Sequence, residues 1–187
     1  MAFPSNRLDR DYYSFVTAGG VQTARRTITL LHQKVHEGDL YNVSDFQTIL
    51  NAGTLDYFIQ TGATVFPHIG FAFESGGDLE IHIYEDTTVT APGTALSVWN
   101  IKRSSTNVAA SLFYHTPTVN VLGTDIFSNW IIAGEKQKTF GGGDGSLARG
   151  APEWNFNSNT GYLIRMINQA SVDIVITFNA TFYEAGG

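Results

Sequence analysis

Cysteine is absent from all 187 residues. Disulfide frameworks, thiolate nucleophiles and cysteine-ligated zinc or iron–sulfur centres are therefore excluded, and the redox compartment is left undecided. Charge is scarce as well: Asp, Glu, Lys and Arg make up 15% of the chain, against roughly 25% in an average soluble domain. The charge that is present is acidic on balance, at −6. Neutralising phosphates takes a concentrated basic surface, so nucleic acid is not expected as a partner, and the same balance disfavours anionic membranes. Long apolar runs are missing too. Phe15-Val16-Thr17-Ala18, after a polar stretch carrying Arg7 and Arg10, is too short for a signal-peptide core or a spanning helix. Synthesis in the cytoplasm is the expectation.

What the chain does have is length for one domain, able to bury roughly 70% of its extended-chain surface without a covalent staple. Aromatic residues reach 13% and Gly numbers 19. A low-charge surface rich in Asn, Thr and Gly, with many aromatics inside it, suits short strands joined by turns. It also suits a subunit largely covered by copies of itself or by a larger particle.

Residues 1–24 are polar, with Arg7, Asp9, Arg10 and Asp11, the aromatics Tyr12, Tyr13 and Phe15, and Gly19-Gly20. They read as an extended N-terminal arm, either an unanchored terminus or an arm that docks on a neighbouring subunit through Tyr12, Tyr13 and Phe15. Residues 25–187 read as a single β-sandwich domain, because from residue 27 the hydrophobic period is two and no window keeps a 3.6-residue repeat. Thr54–Gln60 aligns Leu55, Tyr57 and Ile59 on one face; His68–Phe73 aligns Ile69, Phe71 and Phe73; Asp78–Tyr84 aligns Leu79, Ile81 and Ile83. Glu74-Ser75-Gly76-Gly77-Asp78 between the last two predicts a hairpin. Further strands are expected at Ala95–Ile101, Ala110–His115, Val119–Leu122, Ile126–Ile132, Tyr162–Asn168 and Val172–Tyr183, the last alternating without interruption over twelve residues. Such spacing without helices predicts an all-β, antiparallel, jelly-roll-like sandwich. The segment 133–160, with its Gly141-Gly142-Gly143-Asp144-Gly145 run, predicts one long loop.

No constellation makes a catalytic site, and the expectation is a protein that is not an enzyme. The glycine run lacks the Lys-Ser/Thr pair and following helix of a phosphate loop. His32 and His36 have helical ligand spacing, but Thr27–Leu31 and Asp39–Val43 look extended, so no common face is expected. Glu80 and His82 share a strand face and form the most credible metal pair, although two ligands do not make a site. No Gly-x-Ser-x-Gly elbow exists for acyl transfer, and Glu85-Asp86 falls in a turn. No catalytic, cofactor-binding or metal-binding residue is nominated. Trp99, Trp130 and Trp154 could stack on sugars or anchor an interface. Leu96 and Val98 lie opposite Trp99, and Trp154 is the strongest candidate for touching a partner.

An ordered set of short motifs adds to this. Val35-His36-Glu37-Gly38-Asp39-Leu40-Tyr41, Leu55-Asp56-Tyr57-Phe58-Ile59 and Pro67-His68-Ile69 come first. Ile83-Tyr84-Glu85-Asp86-Thr87-Thr88, Gly93-Thr94-Ala95-Leu96 and Asn100-Ile101-Lys102-Arg103-Ser104-Ser105 follow, then Gly161-Tyr162-Leu163-Ile164-Arg165 and Phe178-Asn179-Ala180-Thr181-Phe182-Tyr183-Glu184. The succession, over residues 35–184, resembles small virion proteins of tailed bacteriophages, the head decoration or cement (minor capsid) proteins. The resemblance implies a β-sandwich without cofactors that forms a homotrimer on the capsid exterior, binds the major capsid protein and bridges capsomers. It implies that Arg165 lies on a polar or interface face of a strand. The alternative is a carbohydrate- or receptor-binding β-sandwich of a tail fibre or spike, and a hydrolase is the third reading.

Overall fold

Alternation of large apolar and polar side chains needs two partners to be satisfied: a neighbouring strand for the backbone and a second sheet for the apolar face. The computed structural model shows both. It describes residues 30–132 and 153–186 in full and residues 12–17, 20–25 and 138–140 through their backbones. The elements are β1 (Tyr12–Thr17), β2 (Gly20–Arg25), α1 (Leu30–Glu37), β3 (Leu40–Ile49), β4 (Thr54–Gln60), β5 (Val65–Ser75), β6 (Leu79–Glu85), β7 (Thr88–Ala91) and β8 (Thr94–Ala95). They continue with β9 (Trp99–Asn100), β10 (Leu112–His115), β11 (Thr118–Val121), β12 (Thr124–Ile131), β13 (Lys138–Phe140), β14 (Trp154–Asn155), β15 (Gly161–Asn168) and β16 (Ile174–Gly186). No helix among the described residues is long and apolar enough to cross a membrane.

Two antiparallel sheets face each other across one core. The first runs β12-β6-β15-β4-β10-β8, and the second runs β13-β5-β16-β3-β9 with β14 also on β5. Two ribbons stand outside them, β7 with β11 and the hairpin β1–β2, in which Tyr12 pairs with Arg25 and Thr17 with Gly20. The strand at the centre of each sheet carries the core: Tyr162, Ile164 and Met166 from β15, and Ile176, Phe178, Ala180 and Phe182 from β16, all buried. Rings bridge the gap between sheets. Tyr57 of β4 stacks on Phe178 of β16 at 4.3 Å, Phe113 of β10 meets Phe182 at 5.1 Å, and Phe156 lies flat on Tyr162 at 3.7 Å. Each such ring adds about 1.5–3 kcal/mol by leaving water, and the aromatic pairing adds to that.

The all-β, antiparallel sandwich read from the alternation is what forms, but five local expectations are corrected. The turn at 74–78 does not close a hairpin: β5 belongs to the second sheet and β6 to the first, and Gly76 N–H continues the β16 ladder by donating to Val175 O at 2.9 Å. The connection is an arch that stacks the apolar faces of the two strands. Gly77 lets it pass, since a Cβ there would sit 2.6 Å from Ile174. Both geometries give the same alternation, so the sequence pattern does not separate them.

The expected strand Ala95–Ile101 is two short pairings, β8 and β9, on different sheets, with Leu96 and Val98 packed on the core between them and Trp99 exposed. Val172 does not extend the last strand inward: it lies in the turn before β16, exposed. The segment 133–160 is broken by β13 and β14, both paired to β5, and Phe156 is a core residue.

The stretch expected to be extended near residue 30 is the helix α1. Its eight residues span too few turns for a 3.6-residue repeat to show. Gln33 and Lys34 both bond Glu37, and Gly38, at φ +78°, closes the end by donating to Lys34 O at 3.0 Å. This is a left-handed C-terminal cap that glycine adopts without strain.

Phe178→Ala removes the ring that joins the sheets and leaves a cavity between Tyr57, Phe71 and Phe73. It is expected to lower the unfolding free energy by ~3–5 kcal/mol in urea titration. A loss below ~1 kcal/mol would contradict this packing.

Candidate functional site

Side chains of alternate residues on the first sheet point away from the core, and three adjacent strands bring their charged members into one row. In register across the sheet, Ser128 of β12 faces His82 of β6, His82 faces Arg165 of β15, and Arg165 faces Asp56 of β4. Arg165 makes a fork-to-fork pair with Asp56, Nε to Oδ1 at 2.9 Å and Nη2 to Oδ2 at 2.7 Å. Hydrogen bonding to Asp56 pushes the guanidinium's already high pKa further up. The guanidinium is therefore a fixed cation that laces β15 to β4.

His82 is held from both sides. Nδ1 lies 2.8 Å from Asp125 Oδ2 and Nε2 lies 2.9 Å from Glu80 Oε1. An ionised carboxylate only accepts hydrogen bonds, so this geometry favours the form of the ring in which both nitrogens donate. Burial, the largest influence, works against the charge. Hydrogen bonds to Asp125 and Glu80, reinforced by the two negative charges, outweigh it, and the pKa rises above its ordinary 6.5. In that form both protons are engaged and the ring offers no lone pair for general-base chemistry or for a metal. Its carboxylates sit at opposite ends of the ring, and among the described residues no group of three or more His, Asp or Glu side chains can hold a metal ion. The Glu80–His82 pair is brought together as a clamp tying edge strand β12 to β6 through Asp125.

A second cluster closes one end of the other sheet. His68 Nδ1 lies 2.9 Å from Glu153 Oε1, the ring stacks on Tyr183 at 4.6 Å, and the Tyr183 hydroxyl donates to the same carboxylate oxygen at 3.2 Å. Burial and then the Glu153 charge push Tyr183 up to about 12. The phenol stays neutral and serves as a donor. Lys34 of α1 stands 5.9 Å from the Tyr183 ring centroid and pairs with Glu37. These groups fasten the chain around β14 and the helix α1 to the sheet.

The nominated residues fall in different places. Arg165 lies on the outward polar face of β15 with its guanidinium bound to Asp56. Trp154 is half-buried, edge-on to Phe127 at 5.6 Å and close to Phe156 at 6.4 Å. Tyr12, Tyr13 and Phe15 occupy β1, and their side chains lie outside the described residues. Trp99 is exposed with the Arg103 guanidinium 5.0 Å from its ring centroid. His32 and His36, not expected to share a face, do so on α1, their Nε2 atoms 2.8 Å apart.

Three organising residues have no signal in the sequence. Asp125 completes the His82 clamp from 43 positions away. Glu184 receives the backbone N–H groups of Ala110 and Ser111 at 2.8 and 2.7 Å. Buried Asn168 donates to the carbonyls of Ile49, Leu50 and Val172 and accepts from Ala170 N–H, joining two turns. Each needs a partner that only the fold supplies.

The outward surfaces also carry large apolar side chains in solvent. Phe46 of β3 is 74% exposed and Val175 of the adjacent β16 is 56% exposed. Leu50 and Val172 lie exposed beyond them, and Trp130 and Ile132 are exposed along edge strand β12 and its end. Compared with protein-family models, with curated proteins and with solved structures, the chain matches none.

The His82 clamp sets a pH dependence with a definite sign. Its folded-state pKa is raised, so its stabilisation is complete below pH 6.5 and is lost as pH climbs through the folded value. The difference in unfolding free energy between the wild type and His82→Gln should therefore be largest in mild acid and shrink on the alkaline side. A difference that grows with pH would exclude the clamp.

Proposed function

We propose that this chain is a non-catalytic virion structural protein of the head decoration type. It forms a homo-oligomer, binds the major capsid protein on the capsid exterior and stabilises the head by bridging capsomers. The observation that carries this reading is how the surface is divided. The polar groups suited to chemistry are bound to one another, as in Asp125–His82–Glu80 and Arg165–Asp56, whereas Phe46, Val175 and Leu50 stand in water on a sheet face. Exposed apolar side chains grouped on a flat face favour covering by another protein surface. The sequence resemblance supplies the particle, and repetition on a lattice multiplies modest contacts through avidity.

The tail-fibre reading draws less support. Sugar binding needs carboxamides free beside an exposed ring, and the carboxamides nearest Trp99 are engaged internally: Asn100 donates to Gly38 O at 2.6 Å, and Asn107 donates to Asp39 at 2.8 Å.

Purified chain mixed with undecorated phage capsids should co-sediment in a fixed ratio and raise their resistance to heat. Absence of co-sedimentation overturns the reading, and glycan-array binding with that result favours the tail-fibre alternative. Removing residues 1–24 is expected to weaken capsid binding without altering the far-ultraviolet β spectrum. Undiminished binding would assign the contact to the sandwich alone.

A further inference from the structure

The second sheet ends in an edge that is open for a defined length. Among the described residues β9 pairs with β3 only at Tyr41 and Asn42, so Val43 to Ile49 have no strand on that side. The backbone polarity there is fixed. Ile101 N–H donates to Leu40 O at 2.9 Å toward β9, and successive residues alternate sides, so Ser44, Phe46 and Thr48 present their N–H and C=O groups outward. Gly76 bonding Val175 O on the far side of β16 confirms the phase, because it leaves Ile174 and Ile176 to face β3.

Natural edges are blunted by proline, lysine, bulges or inward-pointing charge. Residues 43–49, Val-Ser-Asp-Phe-Gln-Thr-Ile, hold no proline and no lysine, and pair with β16 without a register shift. The one charge, Asp45, does face inward, but it is held within its own molecule, accepting from the Tyr57 hydroxyl at 3.0 Å and from Gln47 at 3.1 Å.

We propose that this edge pairs, antiparallel and about a two-fold axis through Phe46, with the same edge of a second copy of this chain, continuing the sheet across both molecules. The sequence is self-complementary in that register. Phe46 meets Phe46 of the second copy on the outer face, Ser44 meets Thr48, Val43 meets Ile49 on the apolar side, and Asp45 meets the carboxamide of Gln47. A shift that centres the axis on Asp45 would oppose two carboxylates, and like charges directly opposite are destabilising. Centring on Gln47 would set Asp45 against Ile49. Length agrees as well: the slot begins where Trp99 of β9 stops and the incoming strand ends at its Ile49. Exposed Leu50 of one copy then lies beside exposed Trp99 of the other. Outward-facing Phe46 and Val175, both otherwise in water, flank the seam. The pairing rests on the backbone edge and its register rather than on the capsid reading, shares with that reading the exposed Phe46, Val175 and Leu50, and gives a two-fold contact where the resemblance implies a trimer.

The test uses the absence of native cysteine. In a hydrogen-bonded antiparallel pair the Cα atoms are about 5.5 Å apart, within the reach of a disulfide. Phe46→Cys should therefore form a disulfide-linked dimer under mild oxidation. Ser44→Cys should not, since its counterpart lies about 13 Å along the strand, and Ser44→Cys with Thr48→Cys should restore the link. Sedimentation velocity of the unmodified chain should show a dimer. Phe46→Lys, a change at an exposed position that should leave the far-ultraviolet β spectrum intact, should raise its dissociation constant by more than about tenfold. A monomer at all concentrations, a trimer, or equal cross-linking of Phe46→Cys and Ser44→Cys would overturn the proposal.

Discussion

The contact between Tyr57 and Phe178 is the one on which the rest of the molecule hangs. Tyr57 comes from the first sheet and Phe178 from the second, and their stacking at 4.3 Å sets where the two inner faces meet. Around it Phe71, Phe73, Phe113, Phe156, Tyr162 and Phe182 fill the layer, all buried. Flat rings suit this position because they span the gap between sheets without the rotamer freedom of long chains. The Tyr57 hydroxyl cannot be left unsatisfied in that layer, and it donates a hydrogen bond to Asp45. The phenol's pKa is driven up, first by burial and then by the Asp45 charge. The inward charge on the β3 edge thus follows from the aromatic core.

With the two sheets fixed, the scarce charges act as local ties. Arg165 joins β15 to β4, His82 joins β6 to β12, and Glu184 clasps the backbone at Ala110 and Ser111. Partly exposed ion pairs add little individually. Their consequence here is positional, because they pin an edge strand and a connection that bury few apolar groups. Histidine at the centre of one tie, its pKa raised by its two carboxylate partners, makes that edge sensitive to pH.

The surface that these ties leave over is polar through Ser, Thr and Asn and interrupted by apolar residues at an edge and on a face. Pairing with another protein uses the same two forces that build the interior: backbone hydrogen bonds along a strand, and apolar burial on the outward face. Decoration of a lattice and edge pairing of two copies draw on the same exposed residues around Phe46, the first through the outward face and the second through the backbone edge of β3.

The sequence by itself determined the layers. Leu55-Tyr57-Ile59, Ile69-Phe71-Phe73, Leu79-Ile81-Ile83 and Ile174-Ile176-Phe178-Ala180-Phe182 are buried as their period of two requires, since successive side chains in a strand must point to opposite faces. Strand partners, by contrast, were decided only in three dimensions. Alternation is identical for a hairpin and for an arch, so the change of sheet between β5 and β6 and the open stretch of β3 have no signature in the residues. The same holds for the ties: Glu80–His82 is visible as a shared face, but Asp125 and Asp56 arrive from other strands. α1 escaped because eight residues are too few for its period to emerge. Periodicity is a local property of a chain, whereas pairing, edges and charge clamps belong to contacts between distant segments, and only the folded sheet order brings those segments together.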